Sequence, residues 1–255
     1  MVERVADQCR TREHEVPIMD IVRGAVYREE QPLERSMTSH TTNTSIVELT
    51  DVTLRFEGQT VLENFSLRVS PGRKVTITGP SGSGKSSILR SILGFITPER
   101  GTVRIAGELL TSRSVWHLRR SLAYVPQEAD LGLGPVRRIL RQPFEYRANV
   151  NLRCDDQLLL DMFDRLHLPA HLLDKDIRDL SGGEKQRVAI MSAILLDRSI
   201  LLLDEAASAL DRENAASVAE YFREQRDLTI VSAAHNAQIL PLSEHVVSLA
   251  GGKTP

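Results

Sequence analysis

The chain has 255 residues, of which 41% are hydrophobic and 26% charged, and its 32 basic residues are balanced by 34 acidic ones. The formal net charge of -2 argues against a strongly basic nucleic-acid binder, and no apolar run reaches the roughly 18 residues needed to span a membrane. The two cysteines, Cys9 and Cys154, lie far apart and outside any paired motif, so neither a disulfide framework nor a zinc site is expected.

Residues 1–45 are predicted to form a flexible polar tail. The segment is rich in charged residues, ends in a Ser/Thr/Asn cluster and lacks the apolar stretch of a secretion signal, so we expect a cytoplasmic protein. Met19 and Met37 lie in this tail, and each is an alternative start codon to Met1. The ordered domain is therefore expected to cover residues 46–255.

Strands and helices are predicted to alternate from Ile46 onwards. β-branched and apolar runs predict strands at 46–49, 52–56, 65–69, 74–78, 101–106, 122–125, 200–203 and 228–232. Helical spacing of apolar residues predicts helices after Ser86, through most of 135–175, after Gly183 and over 214–225. One helix within 135–175 has a predicted apolar face, formed by Leu158, Leu159, Met162, Phe163 and Leu166. This alternation predicts an α/β protein with a largely parallel, buried sheet.

The segment from Gly79 to Ser86 fits the pattern G-x-x-x-x-G-K-[ST], with a predicted strand before it and an amphipathic helix after it. In this pattern the glycines let successive backbone N–H groups and the helix N-terminus face phosphate groups. Lys85 would place a positive charge on the β- and γ-phosphates, and the Ser86 hydroxyl would ligate Mg²⁺. The predicted nucleotide site comprises Gly79, Pro80, Ser81, Gly82, Ser83, Gly84, Lys85, Ser86 and Ser87.

Two carboxylates follow the apolar strand predicted at 200–203. Asp204, at the strand end, suits a Mg²⁺ ion bound through water, and Glu205 would polarise an attacking water. A buried strand that ends in acidic residues is common on its own. The pattern becomes more specific because it lies downstream of the phosphate-binding loop and is followed by Ser208-Ala209-Leu210-Asp211.

A second anion site is predicted within the sequence LSGGEKQR, which runs from Leu180 to Arg187. Ser181 and Glu184 have the spacing of a capping box at the start of a helix. The glycines between them leave backbone N–H groups exposed at the positive end of that helix. Because one nucleotide already has a phosphate-binding loop, a second phosphate-binding helix start in the same chain needs an explanation.

The order of these motifs resembles that of the ATP-binding cassette (ABC) ATPases over residues 46–255. The motifs are the Walker A loop, Gln127, LSGGE, ILLLDE, SALD and a lone histidine after a strand. The resemblance implies a P-loop NTPase (RecA-like) core with an antiparallel β subdomain and an α-helical signature subdomain over about 128–185. It also implies ATP and Mg²⁺ as cofactors. Two chains would pair head to tail, with Ser181, Gly182 and Gly183 of one contacting the γ-phosphate held by the other.

The resemblance gives roles to four further residues. Phe56 matches the aromatic residue that stacks on adenine, and Gln127 matches the Q-loop glutamine that senses Mg²⁺ and the attacking water. Asp211 matches the D-loop aspartate, and His235 matches the switch histidine that contacts the γ-phosphate. The implied catalytic residues are Glu205, His235 and Gln127, and the implied metal ligands are Ser86, Gln127 and Asp204. Asn236 and Ala206-Ala207 depart from the family pattern without removing a reacting group.

The resemblance also implies a partner, an integral-membrane permease that contacts the chain near the Q-loop and the helical subdomain at the inner face of the cell membrane. Residues 163–169, 142–144 and Arg147, with the compact C-terminal part, look like the FetA/YbbL type of stand-alone bacterial cassette, which is linked to iron or metal export. Phosphate and amino-acid importers use similar compact cassettes, so nutrient import is an alternative.

Two other classes of ABC protein are alternatives to a transporter subunit. A soluble ABC ATPase that acts on nucleic acid or ribosomes is an alternative, but such proteins usually show tandem cassettes, a coiled-coil insertion or zinc-binding cysteines. This sequence shows none of these features, and no nucleic-acid partner is expected. A regulatory cassette that binds ATP without turning it over is disfavoured by the presence of both Glu205 and His235.

Overall fold

The computed structural model describes residues 45–236 and 245–249. Residues 1–44 of the predicted tail, and with them the three candidate start codons, lie outside the described residues. None of the described helices is long and apolar enough to cross a membrane.

The described residues form nine strands and six α-helices. The strands are β1 (Val47–Phe56), β2 (Gln59–Val69), β3 (Lys74–Thr78), β4 (Arg100–Ile105), β5 (Glu108–Leu109), β6 (Leu122–Val125), β7 (Ile200–Asp204), β8 (Thr229–Ala234) and β9 (His245–Ser248). The helices are α1 (Lys85–Ile92), α2 (Val115–Leu118), α3 (Val136–Arg141), α4 (Asp156–Arg165), α5 (Gly182–Ile194) and α6 (Arg212–Glu224).

Four of the strands form an antiparallel sheet in the order β2-β1-β4-β5. The strands predicted at 46–49 and 52–56 are one strand, β1, whose pairing with β2 shifts register between Leu49 and Val52. The strand predicted at 65–69 begins earlier, at Gln59, because Glu57 and Gly58 both have positive φ and turn the chain directly back on itself. Because of the register shift inside β1, the residue pattern predicted two strands where the structure has one.

The other five strands form a parallel sheet in the order β6-β7-β8-β3-β9. Every residue of β7 is buried, as are the first four residues of β3, which fits a sheet covered on both faces. The predicted parallel α/β core is therefore confirmed, and β9 is an edge strand that the residue pattern did not reveal. Parallel pairing brings the carboxyl ends of β3, β6, β7 and β8 to one edge, where the motifs lie.

The segment predicted as mostly helical over 135–175 is less regular than expected. Helices α3 and α4 alternate with 3₁₀ turns at 142–145, 147–149 and 170–174. Pro143 and Pro169 explain part of this, because proline lacks the N–H group that a helix interior needs. On α4 the predicted apolar face is buried at Leu159, Met162, Phe163 and Leu166, whereas Leu158 is 37% exposed because it lies about 100° around the helix from Leu159.

One close backbone approach fixes the junction of β1 and β4. Gly101 has φ +84°, and a methyl group added there would lie 2.4 Å from the carbonyl oxygens of both Thr50 and Asp51. Gly107 has a similar φ of +82°, but a methyl group there would meet nothing within 4 Å. The two glycines thus share a backbone conformation and differ in the space around them.

Gly101→Ala is expected to lower the free energy of unfolding by about 3 kcal/mol or more, since it adds a clash with backbone to the cost of a left-handed alanine. Gly107→Ala serves as the control and should cost only about 1 kcal/mol, the conformational part alone. Urea unfolding followed by circular dichroism measures both. Equal losses for the two variants would contradict the steric explanation.

Candidate nucleotide site

The predicted phosphate-binding loop lies between the end of β3 and the start of α1. Gly84 precedes the helix with φ +92°, and Gly82 has φ +77°, backbone conformations that glycine adopts readily. A methyl group at Gly79 would lie 2.7 Å from the Ser83 hydroxyl, so the turn is too tight for a side chain. The Ser83 hydroxyl is buried and has no hydrogen-bond partner among the described residues. A polar ligand group bound at this loop would supply the missing partner.

Lys85 is 4% exposed and folds back over the loop. Its Nζ donates hydrogen bonds to the carbonyl oxygens of Gly79, at 2.9 Å, and of Pro80, at 3.0 Å. The same Nζ lies 3.6 Å from Oε1 of Glu205. Two of the three ammonium donors are thus bonded to carbonyl oxygens of the loop, and Glu205 lies within ion-pair distance.

Glu205 brings three motifs together. Its Oε1, besides facing Lys85, lies 3.2 Å from Nε2 of His235, which follows β8. Glu205 itself adopts a left-handed conformation, φ +49°, directly after β7. Such a conformation is strained for a residue other than glycine and is often found at functional sites. The predicted catalytic residues Glu205 and His235 thus lie in contact with each other beside Lys85.

Asp204 ends β7 and is 3% exposed. The Ser86 hydroxyl donates to its Oδ1 at 2.8 Å, and the Tyr124 hydroxyl donates to its Oδ2 at 3.1 Å. Burial raises the pKa of Asp204 above its ordinary value, while the hydrogen bonds from Ser86 and Tyr124 act in the opposite direction. Burial and the neighbouring Asp204 also raise the pKa of Tyr124, which therefore remains a hydrogen-bond donor.

These residues open into a cleft of about 570 Å³. Phe56 and Gln127, predicted from separate parts of the sequence, both line it together with Ser86 and Asp204. Phe56 is 40% exposed, so its ring is available to a ligand. The structure thus brings the candidate aromatic residue, the Q-loop glutamine and the candidate metal ligands to the same cleft.

The signature residues lie elsewhere. Ser181 caps α5 in the predicted capping box, accepting from the Glu184 N–H at 3.3 Å, while the Ser181 N–H donates to Glu184 Oε2 at 2.7 Å. Hydrogen bonds from Ser181 lower the pKa of Glu184. Ser181 and Gly182 are exposed, and a methyl group on Gly182 would meet nothing within 4 Å. Neither residue lines the cleft that holds Phe56 and Gln127.

Asp211 is also separate from the loop. It is the N-cap of α6, where Oδ1 accepts from the Asn214 N–H at 2.8 Å and Oδ2 accepts from the Asn214 Nδ2 at 2.7 Å. Both carboxylate oxygens are thus used within the chain. A contact of Asp211 with nucleotide stays a prediction.

The donor set at the cleft fits a Mg²⁺ ion. The described residues contain no group of three or more His, Cys, Asp or Glu side chains placed to hold a metal. Mg²⁺ in nucleotide sites needs no such group, because it keeps several waters and takes phosphate oxygens with only one or two protein ligands. The Ser86 hydroxyl and the Asp204 carboxylate, joined by a hydrogen bond at the helix start, are a suitable pair.

The family model described as ABC transporter matches residues 62–208. The chain belongs to the ABC transporter family. Its fold is that of the family's P-loop NTPase core, and the cassette is an ATPase.

Relatives of this cassette differ in length. It is 32% identical to the "Probable iron export ATP-binding protein FetA" of Escherichia coli (strain K12), over 81% of this chain and 92% of that protein. It is 35% identical to the "Iron-sulfur clusters transporter ABCB7, mitochondrial" of Danio rerio, but spans only 30% of that relative's length. A dimeric structure of the ATP-binding cassette MJ0796 in a post-hydrolysis state with ADP and Pi matches with TM-score 0.67 and 26% identity, covering 81% and 95% of the two chains.

Tyr124 is the residue of this site that the sequence did not single out. It lies on β6, three residues before Gln127, and all four residues of β6 are buried. A tyrosine in a buried strand usually finds a hydrogen-bond partner, and that signal was present. Its partner Asp204 is 80 residues away, however, and only the pairing of β6 with β7 brings the two together.

Asp204→Asn is expected to stabilise the metal-free cassette while abolishing most of its activity. Because burial raises the pKa of Asp204, its ionised form costs stability, and that cost appears as pH rises through the pKa in the folded protein. At pH 7.5 the midpoint of thermal unfolding should rise, while hydrolysis with Mg²⁺ falls at least about 100-fold.

The difference in unfolding midpoint should shrink as pH falls towards 3.8, the ordinary value for aspartate. Asp227→Asn, at an exposed position, is the control and should alter neither quantity. A lower midpoint for Asp204→Asn at pH 7.5 would show instead that the charge itself supports the fold.

Proposed function

We propose that the chain is the ATP-binding subunit of a membrane transporter, which hydrolyses ATP as a head-to-tail dimer and drives a separate permease. The observation that carries the proposal is the separation of two phosphate-binding elements in one chain. The loop at Gly79–Ser86 includes Lys85, which lies 3.6 Å from Glu205. The capped start of α5 is exposed and lines no part of the cleft that holds Phe56 and Gln127. A second copy would supply the missing element to each site.

The exposed glycine at 182 supports this pairing. In the single chain no neighbour requires glycine at that position, since a methyl group there would meet nothing within 4 Å. Its N–H group nevertheless lies at the positive end of a capped, 13-residue helix. A phosphate group approaching from another chain would make use of both features. The dimeric cassette MJ0796 has the same fold.

Hydrolysis follows from the contacts of Lys85 and Glu205. When phosphates enter the loop, Lys85 exchanges the carbonyl oxygens of Gly79 and Pro80 for phosphate oxygens, which carry more negative charge. Glu205 then loses its cationic neighbour and becomes available to accept a proton from the attacking water. His235 lies in contact with the same carboxylate. We expect it to donate a hydrogen bond to the γ-phosphate.

The cleft residues complete the site. Mg²⁺, held by Ser86 and Asp204 with Gln127 nearby, would neutralise charge on the β- and γ-phosphates. Tyr124 and Ser86 hold the two oxygens of Asp204 in fixed directions. Phe56 offers an exposed ring on which adenine can stack.

The permease is proposed to dock beside the Q-loop, on the outer rim of the 570 Å³ cleft. Phe95 lines the cleft and is 39% exposed, and Trp116 nearby is 46% exposed. The Arg119 guanidinium lies 4.3 Å from the Phe95 ring centroid and 5.2 Å from that of Trp116. Aromatic rings fixed by an arginine are typical of the anchor residues of protein interfaces. This would hold the subunit at the cytoplasmic face of the membrane.

The transported substrate is proposed to be iron or another metal, moved outwards. Both curated relatives described above have iron in their names, and FetA is matched over 92% of its length. We expect the residues that contact the substrate to belong to the permease. Import of a nutrient is the alternative.

Glu205→Gln should bind ATP without hydrolysing it and so accumulate as a dimer. Glutamine keeps the shape of the side chain but cannot accept the proton of the attacking water. Multi-angle light scattering with ATP and Mg²⁺ should give twice the monomer mass, and the protein without ATP the monomer mass. The double variant Lys85→Ala, Glu205→Gln should remain monomeric, and a monomeric single variant would contradict the proposed pairing.

Lys85→Ala should weaken ATP binding at least about 100-fold, since it removes the only lysine at the phosphate loop among the described residues. Fluorescence titration with a labelled ATP analogue measures the affinity. Lys175→Ala removes an exposed lysine outside the cleft and should bind as the unmodified protein does. Unchanged affinity in Lys85→Ala would overturn the assignment of the loop.

Trp116→Glu should release the subunit from its permease without changing hydrolysis in solution, because the ring lies outside the nucleotide cleft. Affinity purification from solubilised membranes of the source cells should recover a polytopic membrane protein with the unmodified subunit and not with the variant. Deleting that protein should raise cellular iron if the system exports it. Lower uptake of phosphate or amino acids would favour the importer instead, and recovery of ribosomes or nucleic acid would contradict a transporter role.

A further inference from the structure

We infer that Arg187 and Asn214 join the start of the signature helix α5 to the segment 205–211, so that both reach a partner chain as one rigid unit. The inference rests on the proposed head-to-tail dimer and assigns positioning roles to two residues that are not among the predicted ligand contacts.

Arg187 is the centre of this connection. It lies one turn into α5 and is 8% exposed. Its Nη1 donates hydrogen bonds to the carbonyl oxygens of Leu166, at 3.1 Å, and His167, at 2.9 Å, and to Oδ1 of Asn214. Its Nε donates to the Gly183 carbonyl at 3.4 Å, within the signature itself. A buried guanidinium requires such acceptors, which fixes its position firmly.

The side-chain amide of Asn214 connects Arg187 to Asp211. Because its Oδ1 accepts from Arg187, its Nδ2 must face the other way, and it donates to Asp211 Oδ2 at 2.7 Å. The Asn214 N–H also donates to Asp211 Oδ1 at 2.8 Å. A helix N-cap needs only the bond from the Asn214 N–H. The additional bond from Asn214 Nδ2 holds the Asp211 carboxylate in one orientation and links it to α5.

The first turn of α5 also lies close to the backbone of the segment 205–211. A methyl group on Gly183 would lie 3.2 Å from the carbonyl oxygen of Ala209. The first turn of α5 therefore packs against the backbone of 205–211, and a side chain at position 183 would press on it. The chain 205–211 is thus held against α5 by Gly183 and, through Asp211, by Arg187.

The consequence concerns closure of the dimer. The exposed Ser181 and Gly182 and the segment between Glu205 and Asp211 would have to meet the partner at the same time. If the two moved independently, each would lose conformational freedom separately on association, and the dimer would be weaker. The connection through Arg187 and Asn214 removes that freedom before the partner arrives.

The test compares Asn214→Ala with Ser217→Ala in a Glu205→Gln background. Asn214→Ala keeps the backbone bond to Asp211 and loses both side-chain bonds. Ser217→Ala removes a hydroxyl one turn later, whose hydrogen bonds go to the His167 ring and the Glu213 carbonyl. With ATP and Mg²⁺, sedimentation should show a dimer about tenfold weaker for Asn214→Ala and unchanged for Ser217→Ala.

Two further readouts separate positioning from general damage. The affinity of the monomer for a labelled ATP analogue should be unchanged in Asn214→Ala. In the active background its kcat at low protein concentration should fall, with KM for ATP unchanged, and recover at high protein concentration. Hydrogen exchange should speed up in peptides covering 181–187 and 205–211 and not in β3 or β8.

A second variant guards against misfolding. Asn214→Asp keeps an acceptor for Arg187 but turns a carboxylate oxygen towards Asp211, and should also weaken the dimer. If the Glu205→Gln parent does not dimerise with ATP, the proposed function and this inference both fail. If the parent dimerises and both Asn214 variants dimerise equally well with unchanged exchange, only the inference is overturned.

Discussion

The ion contacts of Glu205 hold the centre of the site together. Its Oε1 lies between Lys85 Nζ and His235 Nε2, which belong to different elements at the carboxyl edge of the parallel sheet. The Lys85 and Glu205 side chains are only 4% and 9% exposed, so each charge needs the other in surroundings of low dielectric constant. The strained backbone of Glu205 at the end of β7 is the local cost of placing the carboxylate there.

The sequence was sufficient to predict those parts of the fold and site that depend on near neighbours. The capping box of Ser181 and Glu184 spans three residues, and the core face of α1 repeats over one or two turns, so both were visible in the sequence. The bond between Tyr124 and Asp204 and the edge strand β9 depend on which strands pair, which no local pattern records. Over 135–175 the apolar spacing predicted helix through Pro143 and Pro169, where the structure has 3₁₀ turns because proline lacks the N–H group that a helix interior needs.

The predicted nucleotide residues fall into two sets in the described chain. Residues of the phosphate loop, with Asp204, Glu205 and His235, contact one another directly. Gly182 faces open space, and Asp211 is engaged with Asn214. For the second set, the family resemblance concerns a surface between two molecules. Asp211 has a role within the chain as the N-cap of α6, whereas no neighbour of Gly182 requires glycine there, and the contacts of both residues with a second chain stay predictions.

The bond between Tyr124 and Asp204 has a mechanical consequence. It ties the end of β7 to β6, and only two residues separate Tyr124 from Gln127 and the rim proposed for the permease. The carboxylate at the end of β7 and the residues at the rim are thereby connected through one buried strand. A change in the partners of Asp204 would alter the hydrogen bond that holds this strand two residues before the rim.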